Sequence, residues 1–171
     1  WLGGNIGGIS ADGAGNIYYT GIDPDYRRLV KKYSPGLATV KWEFATSGVI
    51  YGDYSTIKAG AAGVYAGNAD YILSVSPAGA EKWRVPTPCC GFSSGLAVDG
   101  GGNVYAGGST GAPDYYGLLT KFSGIDGSAM WTLREQNGWY TDKALIDSRN
   151  RIYTVGSTIT GMRIVCEEKR L

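Results

Sequence analysis

The stretch from Gly95 to Leu133 reads GLAVDGGGNVYAGGST, then GAPDYY, then GLLTKFSGIDGSAMWTL. A short apolar run ends at Asp99, a glycine turn follows, and a second run centres on Tyr105. A further pair of runs meets at Gly124–Gly127 and closes on Trp131. In such turns Gly supplies positive φ, and an Asp side chain bonds backbone N–H groups two residues on. Two hairpins in series are the content of one propeller blade.

The rest of the chain varies this unit. Tyr18, Tyr65, Tyr105 and Tyr153 recur at spacings of 47, 40 and 48 residues. Asp12, Ala59, Asp99 and Asp147 stand six residues before them, and Asn16, Gly63, Asn103 and Arg151 two before. Trp1, Trp42, Trp83 and Trp131 recur at 41, 41 and 48. Repeats of this length belong to propellers. The expected fold is therefore all-β, a β-propeller in one domain over 1–171. Its four-stranded repeats fall at about 5–46, 47–86, 92–134 and 140–171. The innermost strands are expected at Ile9–Ala11, Leu96–Val98 and Ala144–Ile146, and the third strands at RLVKKY, YILSVS, GLLTKF and MRIVC. No segment has sustained helical periodicity with caps. The strand at 1–3 either completes the fourth blade, giving a four-bladed closed unit, or belongs to a preceding blade of a larger propeller. The second is preferred, because a natural terminus seldom leaves a strand core as its first residue.

Composition narrows the function. Hydrophobic residues make up 43% and charged residues 18% of the 171, as in a globular chain. The 28 Gly punctuate many short strands, and the 13 Tyr suit pleated, half-buried surfaces. The net charge is +1 and no Lys/Arg run exceeds two, which argues against a nucleic-acid partner. No apolar run approaches the ~20 residues that span a bilayer. Histidine is absent, which removes Ser-His-Asp and Cys-His catalysis and every imidazole metal site. The sequon Asn-x-Ser/Thr is also absent.

The pattern DGxGNxYxxG followed by LxxKxSxxGxxxW resembles the bacterial seven-bladed β-propeller repeats and is similar to the repeats of quinoprotein-like propellers. The resemblance covers essentially the whole chain. The third unit matches best and the second worst, since Ala59 replaces the Asp. It implies an architecture more than an activity, because one such fold hosts many functions. A quinoprotein repeat would carry Gly-x-x-x-Trp, which packs neighbouring blades. It occurs at Gly79–Trp83 and Gly127–Trp131, whereas Gly36 stands six residues before Trp42.

Several groups of residues are candidates for chemistry. Asp12, Asp99 and Asp147 form either a ring of carboxylates for calcium or a polar ligand, or a set of turn caps. The second reading is preferred, because Ca²⁺ wants several oxygens from one loop. Trp42, Trp83 and Trp131 are read as packing between blades rather than stacking platforms. Cys89, Cys90 and Cys166 suit a disulfide or free thiols, and no metal site is expected. The binding-face candidates are Tyr51, Asp53, Tyr54, Asp114, Tyr115, Tyr116, Trp139 and Tyr140, loop positions that alternate rings and carboxylates as in sugar-binding surfaces. Asp142 belongs with them. The insertion at Gly111–Tyr116 lengthens the third unit and is where a private function of that blade is expected.

The expected function is that of a non-catalytic scaffold or binding module, secreted or on the cell surface as the repeat resemblance implies. It would recognise glycan or protein, or assemble into fibres, with no cofactor, no nucleic acid and no membrane insertion. The alternative is part of a propeller enzyme, a quinone-dependent dehydrogenase or a lyase.

Overall fold

The computed structural model describes residues 6–46, 56–68, 70–87, 95–110, 116–135, 140–158 and 161–167, the backbone alone at 6, 135, 140–142 and from 156 onward. They form four antiparallel sheets, each a meander in chain order. Blade 1 contains β1 (Ile6–Ala11), β2 (Ile17–Ile22), β3 (Arg28–Tyr33) and β4 (Val40–Ala45). Blade 2 contains β5 (Thr56–Gly60), β6 (Gly63–Gly67), β7 (Tyr71–Val75) and β8 (Glu81–Pro86). Blade 3 contains β9 (Gly95–Val98), β10 (Val104–Ser109), β11 (Gly117–Phe122) and β12 (Ala129–Glu135). Blade 4 contains β13 (Tyr140–Ile146), β14 (Ile152–Thr158) and β15 (Gly161–Glu167). The expected fourth strand of blade 4 is not found among the described residues, and Trp1 lies outside them. Among the described residues no helix is long and apolar enough to cross a membrane.

These residues form strands because β-branched and aromatic side chains alternate with small ones on a pleated surface. In β6 and β10 the alternation gives two buried faces rather than one. One face of each blade looks to the blade before it and the other to the blade after it. The core is accordingly three layers, one per joint. Tyr18, Val30, Trp42 and Phe44 of blade 1 meet Ile57, Val64, Ala66, Leu73 and Val75 of blade 2. Tyr65, Ile72 and Trp83 meet Leu96, Val104, Ala106, Leu118 and Phe122. Tyr105, Leu119, Trp131 and Leu133 meet Ala144, Ile146 and Ile152. The inner strands lie side by side in the order β1, β5, β9, β13. Among the described residues no comparable packing links β13 back to β1.

Candidate functional site

Each recurring Asp caps the turn between the first two strands of its blade. Asp12 accepts the N–H groups of Ala14 (3.0 Å) and Asn16 (2.9 Å), the Asn16 Nδ2 (2.8 Å) and the Tyr18 hydroxyl (2.9 Å). Asp99 accepts the Asn103 N–H (2.8 Å), its Nδ2 (3.0 Å) and the Tyr105 hydroxyl (3.2 Å). Asp147 accepts the N–H groups of Arg149 and Arg151, the Arg151 Nε (2.7 Å) and the Tyr153 hydroxyl (3.2 Å). Their lone pairs are spent inside the blade. Among the described residues no group of three or more His, Cys, Asp or Glu is placed to hold a metal.

A cation completes each Asp-bearing set. The residues opposite the four tyrosines on the third strand are Lys32, Ser74, Lys121 and Cys166. Lys32 lies over the Tyr18 ring at 5.2 Å, and Lys121 over Tyr105 at 5.0 Å. The Lys121 Nζ stands 3.4 Å from Asp99. Blade 4 has Cys166 in that place, and Arg151, in the turn where blades 1 and 3 have Asn, pairs with Asp147 at 2.6 Å. Blade 2 has neither charge: Ala59 and Ser74 replace both, and the Tyr65 hydroxyl donates instead to the Gly102 carbonyl of blade 3 at 3.1 Å. Charge and counter-charge are thus kept or lost together, as burial of an unpaired charge is costly. Burial opposes the charged form of Asp12, Asp99 and Asp147 alike. The hydrogen bonds from Asn16, Asn103 and Arg151 outweigh it and hold all three below the usual carboxylate range, Asp147 down to about 2.

The tryptophans join blades. Trp42 Nε1 donates to the Pro77 carbonyl of blade 2 (2.9 Å) and Trp83 Nε1 to Gly124 of blade 3 (3.3 Å). Each indole lies on a glycine of the following blade. A Cβ at Gly79 would meet Trp42 at 2.8 Å, and one at Gly127 would meet Trp83 at 2.8 Å. Gly-x-x-x-Trp therefore works across blades: the Gly receives the preceding indole and the Trp goes to the next blade. Tyr18, Tyr65 and Tyr105 pack on the Trp of their own blade, with centroids 5.7 to 5.9 Å apart.

At one end of the arc, between the turns of Asp12 and Gly60, lies a groove of about 380 Å³ lined by Asp12, Tyr18, Lys32, Ala59, Gly60 and Pro77. It exists because the second blade's turn carries only small side chains. The opposite end holds the turns between second and third strands. The connections to the next blade leave from there, since Thr46 N–H bonds the Arg28 carbonyl and Thr87 N–H the Asp70 carbonyl. In the Asp23–Arg27 turn, Asp23 accepts the N–H groups of Asp25 (2.9 Å) and Arg27 (2.8 Å) and the Arg27 Nε (2.6 Å). That bonding holds Tyr26 at φ +59° with 65% of its surface exposed. In blade 2 the Asn68 side chain takes the Asp23 role, accepting the N–H groups of Asp70 and Tyr71. Arg28, 2% exposed, crosses the joint to Asp70 at 2.7 Å and lies over the Tyr71 ring at 5.5 Å. Arg84 lies over the same ring at 4.4 Å.

Among the binding-face candidates, Tyr116 is half-buried and its N–H donates to Thr110 Oγ1 at 2.8 Å. Tyr140 opens β13 and Asp142 follows it there. Tyr51, Asp53, Tyr54, Asp114, Tyr115 and Trp139 lie outside the described residues, as do Cys89 and Cys90. Cys166 is on β15. Sequence reading missed Asp23, Tyr26, Arg28 and the cations over Tyr18, Tyr105 and Tyr153. A signal for part of this was present: Asp-Tyr occurs at Asp25-Tyr26 and again at Asp70-Tyr71, where the third strand of blade 2 begins.

No protein-family model matches the chain, and no curated protein matches it in sequence. Solved structures do match in fold. BamB from Moraxella catarrhalis superposes with a TM-score of 0.62 at 14% identity, over 93% of this chain and 48% of that one. The quinohemoprotein alcohol dehydrogenase from Comamonas testosteroni superposes at 0.68 and 12% identity, over 89% and 29%. The Neurospora crassa Pan2 WD40 domain superposes at 0.64 and 9% identity, over 90% and 44%. The chain spans about half, or less, of each of these three structures. The likeness establishes the β-propeller fold.

Proposed function

We propose that this propeller arc is a non-catalytic module that recognises a protein partner with the end carrying the turns between second and third strands. Tyr26 carries the reading: a non-glycine residue at φ +59°, 65% exposed, on a turn locked by Asp23 and Arg27. A strained backbone that displays a large amphipathic ring to solvent costs stability and points to use at the surface. Tyrosine offers wide contact area at low entropy cost, and the exposed Asp25 precedes it as polar rim. The recurring Asp, Tyr and Trp are committed to turns and joints, which supports recognition over catalysis. A secreted or surface setting agrees with the repeat resemblance and with this polar, aromatic end.

The test is binding of the intact chain to immobilised peptide and glycan arrays, with Tyr26→Ala and Tyr116→Ala beside it. Discrete peptide hits lost in Tyr26→Ala are the expected result. Hits confined to glycans, hits indifferent to both substitutions, or a quinone released on denaturation would overturn the reading.

A further inference from the structure

The turn joining the first two strands is short in blade 2. Ala11 pairs with Ile17, Val98 with Val104 and Ile146 with Ile152, so blades 1, 3 and 4 each turn through five residues. Gly60 pairs with Gly63, so blade 2 turns through Ala61 and Ala62 alone. The tight turn needs its second glycine: Gly63 stands at φ +137°, and a Cβ there would run into the Val75 carbonyl oxygen. In blade 3 the long turn reaches back over the blade before it, where the Gly102 carbonyl takes the Tyr65 hydroxyl at 3.1 Å. A turn of two residues stops short of blade 1. The groove of about 380 Å³ remains between it and the Asp12 turn.

That groove opens onto a lysine that lacks its counterpart's partner. Register places Lys32 and Lys121 at the same point of blades 1 and 3, opposite Tyr18 and Tyr105. Lys121 is buried, with its Nζ 3.4 Å from Asp99. Lys32 is half-buried, lines the groove and stands over the Tyr18 ring at 5.2 Å. Among the described residues no carboxylate forms an ion pair with it. Asp12, the acid of the groove wall, is committed to its own blade. It accepts the N–H groups of Ala14 and Asn16, the Asn16 side-chain amide and the Tyr18 hydroxyl. The wall contributed by blade 2 is small and apolar, with Ala59, Ala61 and Pro77.

We propose that this groove binds a carboxylate carried on a short aliphatic arm, with Lys32 as its counter-ion and Ala59, Ala61 and Pro77 against the arm. An ammonium has three donors and no acceptor, so it selects an anionic oxygen, and a charge-assisted bond is the strong one available there. The alanines and the proline offer the arm apolar contact and no competing polar group. A single negative charge suits the site, because a dianion would also face the Asp12 carboxylate. A free small acid and the glutamate side chain of a peptide both carry this chemistry. The groove lies at the end of the blades opposite the Tyr26 turn, so the site is independent of recognition there.

Proton–nitrogen NMR titration of the whole chain tests this, with butyrate and a blocked glutamate (N-acetyl, N-methylamide) as probes and butyramide and inorganic phosphate as comparisons. Saturable shifts at the amides of Lys32 and Ala59–Ala62 are expected with at least one of the two acids, at the millimolar affinity of one partly solvated ion pair. Tighter binding of butyrate assigns the groove to a free acid, and tighter binding of the blocked glutamate assigns it to a peptide side chain. Lys32→Met should raise the dissociation constant at least about tenfold. Ala61→Phe, which keeps Lys32 and fills the groove from an exposed turn, should do the same. Lys41→Met, at an exposed lysine of β4 outside the groove, should leave it unchanged. The dispersion of the same spectra shows that each variant keeps its fold. No saturation with either acid, butyramide binding as tightly, phosphate binding more tightly, or a titration indifferent to Ala61→Phe or to a folded Lys32→Met would overturn the proposal.

Discussion

Lys121 is 2% exposed, and among the described residues its carboxylate partner is Asp99, at 3.4 Å. Removing Asp99 alone strands a buried ammonium, which costs about 3 kcal/mol or more. Blade 2 shows the alternative, with Ala59 and Ser74 in the two places around a fully buried Tyr65. Asp99→Ala/Lys121→Ser should therefore lose less stability than the two single substitutions added together. A double-mutant cycle by urea unfolding should give a coupling of about 1–3 kcal/mol; additivity would refute the paired role.

The same carboxylates set an acid limit. Asp12, Asp99 and Asp147 are stronger acids folded than unfolded, so their stabilisation is complete above the unfolded range near about pH 4. It is lost as pH falls from there toward the folded value of Asp147, about 2. The urea midpoint should fall steeply over that window, and Asp147→Asn should remove part of the drop. A midpoint flat between pH 5 and about 2 would contradict the capping role.

Turns and strands were unevenly legible from sequence. Asp precedes Tyr by a fixed six residues because a hairpin turn fixes short distances, so strand positions and the capping role of Asp could be read along the chain. Lys32 and Lys121 escaped because they meet Tyr18 and Tyr105 across a strand pair, 14 and 16 residues away, where register decides the contact. Arg28 and Asp70 escaped because they are 42 residues apart and meet only once two blades dock. Tyr26 escaped because its display depends on a positive φ that the side chains of Asp23 and Arg27 enforce.

The glycine under each indole gives this scale its own prediction. Gly127→Ala places a Cβ 2.8 Å from Trp83 at φ +76° and should cost about 2 kcal/mol or more, with a shift in Trp emission. Gly13→Ala, which meets nothing within 4 Å, should stay within about 0.5 kcal/mol. Equal losses at the two sites would break the assignment of Gly127 to the joint.

Across the whole molecule, stability is a sum of blades and joints rather than the property of one central core. Blades 2 and 3 are covered on both faces, and β6, β7, β10 and β11 are buried along their full length. Blades 1 and 4 each keep one open face, with Ile9 and Leu145 exposed there. Local opening should follow that order. Amide hydrogen exchange read by mass spectrometry measures it directly. The joints account predicts slowest exchange in β6, β7, β10 and β11 and faster exchange in β1, β2, β13 and β14. Protection in blades 1 and 4 equal to that in blades 2 and 3 would contradict it.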